Sequence, residues 1–112
     1  MIEKIVYDYL KTALAPNQVF TEIRQGMPDK FVFFEKTGSS MRDRLMVSIF
    51  AFQSYGSSLF EAASLNHDVV EAMLNMVSEA DITNVELNSD YNYTDMETKK
   101  PRYQAVFEIT HY

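Results

Sequence analysis

Residues 45–79, with the sequence LMVSIFAFQSYGSSLFEAASLNHDVVEAMLNMVSE, decide the fold. The stretch Leu45–Ser54 is the longest candidate strand, and its apolar residues fall on both faces. Such a pattern predicts a central strand, or a strand with one face covered by a neighbouring subunit. Gly56 then interrupts the strand, and Ser58 is followed three residues later by a glutamate, which is typical of a capping box at a helix start. The segment therefore predicts a strand that leads directly into a helix over residues 58–79.

That helix carries two stripes at three- and four-residue spacing, and we expect the apolar stripe to face the core and the polar stripe to face solvent. The apolar stripe consists of Leu59, Ala63, Asn66, Val70, Met73 and Val77. The polar stripe consists of Glu61, Ser64, Asp68, Glu71, Asn75 and Ser78. The double stripe is the clearest periodic signal in the chain, and it predicts an amphipathic helix packed on a sheet.

The flanking segments predict one more helix and four more strands. The helix covers residues 2–14 and is ended by Pro16. The further strands are predicted at Val19–Ile23, Phe31–Lys36, Val85–Tyr93 and Tyr103–Tyr112. Polar, turn-rich composition predicts that Thr37–Arg44 and Thr94–Arg102 are loops at opposite ends of the sheet, mobile until a partner orders them. This order of elements predicts a single α+β domain over residues 1–112, with one mixed or antiparallel sheet of about five strands and two helices packed on one face.

Composition narrows the class of protein. The chain has 112 residues and is 46% hydrophobic, enough for one modest core without staples. The absence of cysteine excludes disulfides and thiolate metal sites. The opening segment MIEKIVYDYLKTALAP has no continuous apolar region, so we expect no signal peptide, and no segment is apolar enough to span a membrane. The net charge of −6 argues against a general binder of nucleic acid or anionic membranes.

Charge is distributed unevenly along the chain. No lysine or arginine occurs between Arg44 and Lys99. That interval contains the acidic residues Glu61, Asp68, Glu71, Glu79, Asp81, Glu86, Asp90, Asp95 and Glu97. The basic residues form an N-terminal group that ends at Arg42 and Arg44, and a short cluster of Lys99, Lys100 and Arg102. Two interpretations stay open: solvated surface, or complementary faces on neighbouring subunits.

The sequence contains no catalytic constellation, so we expect no enzyme and no cofactor. His67 and Glu71 are spaced to share a metal on a helix, but two ligands do not make a site. The nucleophile motif G-x-S-x-G is absent, and three scattered glycines cannot form a phosphate-binding loop. We therefore expect no catalytic, cofactor-binding or metal-binding residue in this chain.

Aromatic residues are concentrated near the predicted strand ends, where they either complete a small core or form a protein contact surface. These residues are Tyr55, Tyr91, Tyr93, Tyr103 and Tyr112. Combined with the charge pattern, they suggest a set of candidate residues for an oligomer or partner interface. The set is Arg42, Arg44, Asp68, Glu71, Tyr91, Tyr93, Lys99, Lys100 and Arg102.

Five segments together resemble a known family. They are MIEKIVYDYLK, FVFFEKTGSS, FAFQSYGSSLFEAASLN, LNSDYNYTD and RYQAVFEITHY, which span nearly the whole chain in order. The chain resembles the small tail-completion proteins (tail terminator or head–tail joining proteins) of long-tailed bacteriophages and prophages of Gram-positive bacteria. None of the segments is a mechanistic motif, and the family has no catalytic residues to carry over.

The resemblance implies a virion structural protein that forms a hexameric ring. Such a ring caps the completed tail tube and docks to the head connector protein, while DNA passes through its lumen without specific binding. The implied location is the host cytoplasm during assembly and the head–tail junction in the virion. The alternatives are a head-closure or neck adaptor at the same junction, and a monomeric adaptor that binds one protein partner.

Overall fold

The structure is a computed structural model that describes residues 1–15 and 18–112. Its helices are α1 (Ile2–Ala13) and α2 (Leu59–Asn75), and a short 3-10 helix, Met76–Ser78, continues α2. The strands are β1 (Val19–Phe20), β2 (Phe31–Arg42), β3 (Leu45–Tyr55), β4 (Ile82–Asn92) and β5 (Arg102–His111). The predicted α+β class, with one mixed sheet of five strands and two helices, is confirmed. Pro16, which was predicted to end the first helix, lies outside the described residues.

The strand order in the sheet is β1-β2-β3-β5-β4. The β1–β2 pair is parallel and the other three pairs are antiparallel. β3 lies at the centre between β2 and β5, as its two apolar faces predicted. Because β5 inserts between β3 and β4, the chain leaves β3, passes through α2 and returns to the far edge of the sheet. β4 is therefore an edge strand, although it precedes β5 in the sequence.

The two helices do not pack together on one face of the sheet, so this part of the prediction is wrong. α2 packs across β3, β5 and β4, whereas the main contacts of α1 are with β1 and with α2 itself. Only one residue in each turn of α1 is buried, so this helix packs against the rest of the protein through a narrow stripe. The buried residues are Ile2, Val6 and Leu10. The Tyr9 hydroxyl ties α1 to α2 by donating a hydrogen bond of 2.6 Å to the carbonyl of Ala72.

The buried face of α2 is rotated from the predicted one. Its buried residues are Ala62, Leu65, Asn66, Val69, Ala72 and Met73, and Met76 follows them in the 3-10 helix. Two residues of the predicted stripe, Leu59 and Val77, are instead 44% and 48% exposed. Apolar side chains occupy more than one face of this helix, so periodicity alone could not tell which part meets the sheet. The predicted polar stripe does face solvent, apart from the half-buried Glu61.

The predicted capping signal at the start of α2 is confirmed. The Ser58 hydroxyl accepts a hydrogen bond of 3.1 Å from the Glu61 amide. The Glu61 carboxylate reaches back one residue further than in a standard box and accepts from the Ser57 amide at 2.8 Å. The first contact satisfies a free amide of the first turn, and the two together fix where α2 begins.

The segment from Thr37 to Ser40 is part of β2 and is not a loop. It continues the β2–β3 ladder after a bulge between Lys36 and Gly38. The turn lies further on, at Asp43 and Arg44, whose φ angles of 53° and 66° are left-handed. Polar composition favoured a loop locally, but pairing with β3 supplies the backbone hydrogen-bond partners that keep the segment extended.

Both ends of the long β2–β3 hairpin are defined by the strand register. Arg42 pairs with Leu45 at one end, and Tyr55 pairs with Arg102 at the other. The tight turn and the segment 93–101 between β4 and β5 therefore lie at opposite ends of the sheet. The prediction that the two connections lie at opposite ends of the sheet is correct. The first connection is a tight turn at Asp43 and Arg44, and not the predicted loop over Thr37–Arg44.

Candidate partner-binding groove

A groove of about 980 Å³ opens at the end of the sheet where β3 ends and β5 begins. Its walls are residues 23–29 before β2, residues 55–57 at the end of β3, and residues 98–102 together with Asp95. Four basic side chains and two acidic ones line it: Arg24, Lys99, Lys100 and Arg102 against Asp29 and Asp95. We call it the cationic groove, because it is a positive site on a chain whose net charge is −6.

Arg102 is held in one position from several sides. Its Nε donates to the carbonyl of Tyr93 at 2.8 Å, and its Nη1 donates to the hydroxyl of Tyr55 at 3.1 Å. The guanidinium also lies over the two rings, 4.4 Å from the centre of Tyr93 and 5.6 Å from that of Tyr55. A planar cation stacked on aromatic rings and hydrogen-bonded to neutral groups keeps its charge and loses its mobility.

A chain of hydrogen bonds continues from Arg102 across three strands. The Tyr55 hydroxyl donates to Oε1 of Gln53 at 3.1 Å. Nε2 of Gln53 donates to Oε1 of Gln104 at 3.0 Å, and Nε2 of Gln104 donates to the Tyr91 hydroxyl. Register brings these residues side by side, because Gln53 pairs with Gln104, which in turn pairs with Tyr91. We call Gln53, Tyr55, Tyr91, Arg102 and Gln104 the Arg102 network.

The aromatic floor of the groove is packed inside the protein. The rings of Phe31 and Tyr55 are stacked, with centres 4.4 Å apart and an interplanar angle of 11°. Both residues are buried, at 5% and 8% exposure. Phe20 packs edge-on against Phe31 at 6.0 Å and lies beneath the guanidinium of Arg24 at 5.3 Å. The floor therefore supports the cations and offers little free ring surface to a ligand.

The segment 93–101 is built around Asp95. The Asp95 carboxylate accepts from the Glu97 amide at 2.9 Å, and its carbonyl accepts from the Lys99 amide at 2.7 Å. The bond from the Glu97 amide, the bonds from Thr98 and the charge of Arg102 hold the pKa of the Asp95 carboxyl below its ordinary value. Lys99 adopts a left-handed φ of 57°, which is uncommon for a residue with a side chain. The segment is thus a defined turn that presents two adjacent lysines to the groove.

The cations of the groove form no ion pair within the described part of the chain. The ion pairs found there join Lys4 and Lys11 to Asp8, and Lys36 to Glu3. They all lie on or beside α1, at a distance from the groove. Arg24, Lys99, Lys100 and Arg102 are consequently available to an external anion.

The structure brings five of the nine predicted interface residues to the same end of the sheet. Lys99, Lys100 and Arg102 line the groove, and the rings of Tyr91 and Tyr93 meet edge-on at 5.8 Å beside them. Sequence reasoning missed Gln53, Gln104, Phe31 and Arg24. The signal for Gln53 was its long polar side chain in a mainly apolar strand, but its partner could not be identified without the register.

The other four predicted residues lie elsewhere. Arg42 and Arg44 are exposed at the opposite end of the sheet, at the β2–β3 turn. Asp68 and Glu71 line a separate groove of about 480 Å³ between α1 and α2, which Tyr9 and Lys30 also line. The predicted interface is therefore three separate surfaces.

A buried serine–histidine pair joins the ends of β3 and β5. Oγ of Ser48 lies 2.8 Å from Nε2 of His111, and the other ring nitrogen of His111 lies 3.1 Å from the carbonyl of Tyr112. Because a carbonyl can only accept, we assign the hydrogen to Nδ1 and a donor role to the Ser48 hydroxyl. Both side chains are buried and line neither groove, so the pair satisfies polar groups between strands rather than presenting a nucleophile.

Within residues 1–15 and 18–112, no group of three or more His, Asp or Glu side chains is arranged to hold a metal ion. None of the helices described there is long and apolar enough to cross a membrane. Comparison with protein-family models and with curated proteins found no match to this chain.

Proposed function

We propose that this chain is a structural subunit of the head–tail junction of a long-tailed bacteriophage: a tail terminator or tail-completion protein that assembles into a ring. In this role it caps the tail tube, docks to the head connector and performs no catalysis. The resemblance of five segments along the chain to that family supports the proposal, and the two edges of the sheet support it from the geometry.

The observation that carries the proposal is that both edges of the sheet are free over long stretches. β4 pairs only with β5, so the far side of its eleven residues has no strand partner in the described chain. At the opposite edge, β1 pairs only with Val32 and Phe33, and β2 beyond Phe33 pairs only with β3. Free strand edges readily pair with another chain, and monomeric proteins usually block them. Here neither strand contains proline, a common blocking residue.

The two edges differ in charge. β4 carries Glu86 and Asp90 and no basic residue. β2 carries Lys36 and Arg42 together with Glu35, and Asp43 and Arg44 follow in the turn, so this edge has a small net positive charge. Two different complementary edges favour a head-to-tail contact, which generates a ring when its rotation closes. Each exposed ion pair contributes little energy, but repeated pairs set orientation and register.

Exposed apolar residues lie beside the β4 edge. On α2, Leu74 is 42% exposed, and Val77, just beyond it, is 48% exposed. Leu87 of β4 is 38% exposed and pairs with Phe107, so it projects towards the same side of the sheet as the buried core. A neighbouring subunit that joins the β4 edge would cover this surface, and burial of apolar area would supply most of the affinity.

The test is to delete the coding sequence from the phage or prophage that carries it and to image the particles. We expect filled heads and unattached tails of irregular length, with joining restored when the purified protein is added back. Normal virions without the protein would refute the proposed function. Heads that are left unsealed beside finished tails would instead assign the chain to the neck.

A monomeric adaptor is the second candidate, and the cationic groove is the observation that favours it, because the groove is complete within one chain. The native mass of the purified protein separates the two candidates. A ring at low salt supports the junction protein, whereas one copy at every salt and protein concentration supports the adaptor.

A further inference from the structure

The cationic groove combines a fixed guanidinium with two adjacent lysines, and within the described residues none of these cations forms an ion pair. Arg102 is immobilised by Tyr55 and Tyr93, and Lys99 and Lys100 are set by the turn around Asp95. The fixed guanidinium of Arg102 binds an anionic group at a low entropy cost, because its side chain does not have to be ordered when the ligand arrives.

Apolar side chains line the same groove, next to the cations. Ile23 is 53% exposed there, and Met27, Pro28 and Pro101 complete the apolar part of the wall. A ligand that fits both parts carries separate negative charges and some apolar surface along an extended backbone. We propose that the cationic groove binds an extended acidic segment of a partner protein, and that carboxylates of this segment pair with Lys99, Lys100 and Arg102.

A polypeptide fits the groove better than a nucleic acid does. Binding of single strands relies on free aromatic faces for base stacking, but the aromatic residues that line the groove, Phe31 and Tyr55, are buried against each other. Tyr93 does not line the groove, and one face of its ring is occupied by Arg102. Asp29 and Asp95 also line the groove and would repel a continuous row of phosphates. The carboxylates of a peptide are on flexible side chains and can turn away from these two acids, whereas phosphates are fixed in the nucleic-acid backbone.

A different protein fits better than a second copy of this chain. Nine of the 16 acidic residues lie in α1, α2, β2, β4 and β5, where their backbone is already paired, and Asp29 and Asp95 line the groove itself. The groove is open between two loops and accepts an extended segment. The inference therefore concerns a surface separate from the sheet edges, and it holds whether or not the subunits form a ring.

The experiment is calorimetric titration of the full chain with an octaglutamate peptide at low salt, repeated with octalysine and a short oligothymidylate. We expect saturable binding of octaglutamate to one site per chain that weakens with salt. The variant K99Q/K100Q/R102Q should lose at least about tenfold in affinity. The control K4Q/K11Q/K30Q removes the same charge elsewhere and should retain affinity within about twofold.

Three results would overturn the proposal. They are the absence of octaglutamate binding to the wild-type chain, equal losses in the two triple variants, and tighter binding of oligothymidylate than of octaglutamate. The single variant Lys99→Gln separates a loss of binding from a loss of folding. The exposed Lys99 side chain makes no hydrogen bond within the described chain, so its replacement should leave the fold intact. It should weaken octaglutamate binding with an unchanged melting temperature, and unchanged affinity would count against the proposal.

Discussion

Gly56 lies so close to α2 that a Cβ built on it would be 2.6 Å from the backbone nitrogen of Ala62. The contact is between backbones, so a side-chain rotation cannot relieve it. Gly56 is also buried, and its amide donates to the carbonyl of Pro101 at 3.3 Å. A residue with a side chain at this position would push α2 away from the end of β3.

We predict that Gly56→Ala lowers the free energy of unfolding by about 1–3 kcal/mol, the usual cost of forcing extra atoms into a packed site. Gly38→Ala is the matched control, because a Cβ there meets nothing within 4 Å and its φ is not left-handed. The control should be neutral or slightly stabilising. Urea denaturation of both variants measures the difference, and equal stabilities would contradict the close approach.

The difference between the observed and the predicted buried face of α2 gives a second prediction. Met73 is fully buried, whereas Val70 on the neighbouring turn is only half-buried. Met73→Asp places a carboxylate in the core without a partner and should cost about 3 kcal/mol or more. Val70→Asp can keep its carboxylate near solvent and should cost about 1 kcal/mol. Thermal melts of the two variants are the measurement, and equal losses would favour the stripe predicted from periodicity, which contains both residues.

The sheet edges give a prediction about assembly. Reversing Arg42 and Arg44 to Glu should weaken ring formation, and the loss should shrink as salt rises, because exposed pairs of about 0.2–1 kcal/mol each are screened. Adding Glu86→Lys should partly restore assembly by returning opposite charges to the two edges. Lys99→Glu with Lys100→Glu is the control, since it makes the same charge change at the other end of the sheet. Native mass across a salt series is the measurement. If rings still form at low salt after Arg42 and Arg44 are reversed, these two residues do not contribute to the contact between subunits.

The Asp95 turn gives a prediction about pH. Backbone hydrogen bonds from Glu97 and Thr98 lower the pKa of the Asp95 carboxyl from its ordinary value of 3.8. A lowered folded-state pKa contributes stability above the ordinary value, and this contribution is lost as the pH falls through the folded pKa. We therefore expect the turn to stay formed at mildly acidic pH and to loosen only below pH 3.8.

Amide exchange at Glu97 and Lys99, followed by NMR across an acid titration, is the measurement for this turn. Asp95→Asn is the control, because its side-chain oxygen still accepts from the Glu97 amide but no longer titrates. Protection in this variant should be independent of pH over the same window. Loss of protection in the wild type well above pH 3.8 would show that the turn depends on another group.

The sequence could predict the structure where the deciding interactions are local. The strand over Leu45–Ser54, the break at Gly56 and the cap at Ser58 all follow from residues within a few positions of one another, and all are observed. The segregation of acidic and basic residues and the basic cluster around Lys99 could likewise be predicted, because both are defined by positions along the chain.

Tertiary structure alone decided which residues meet. Gln53 and Gln104 are 51 residues apart, and Arg102 bonds to Tyr55 across 47 residues, so only the insertion of β5 beside β3 creates the Arg102 network. The same insertion leaves β4 as a free edge. The buried side of α2 was also decided by packing, since apolar residues cover more of its surface than the sheet can bury. Local patterns specify a strand or a helix through short-range backbone and capping energies, whereas register, edges and buried faces depend on which distant segments pair.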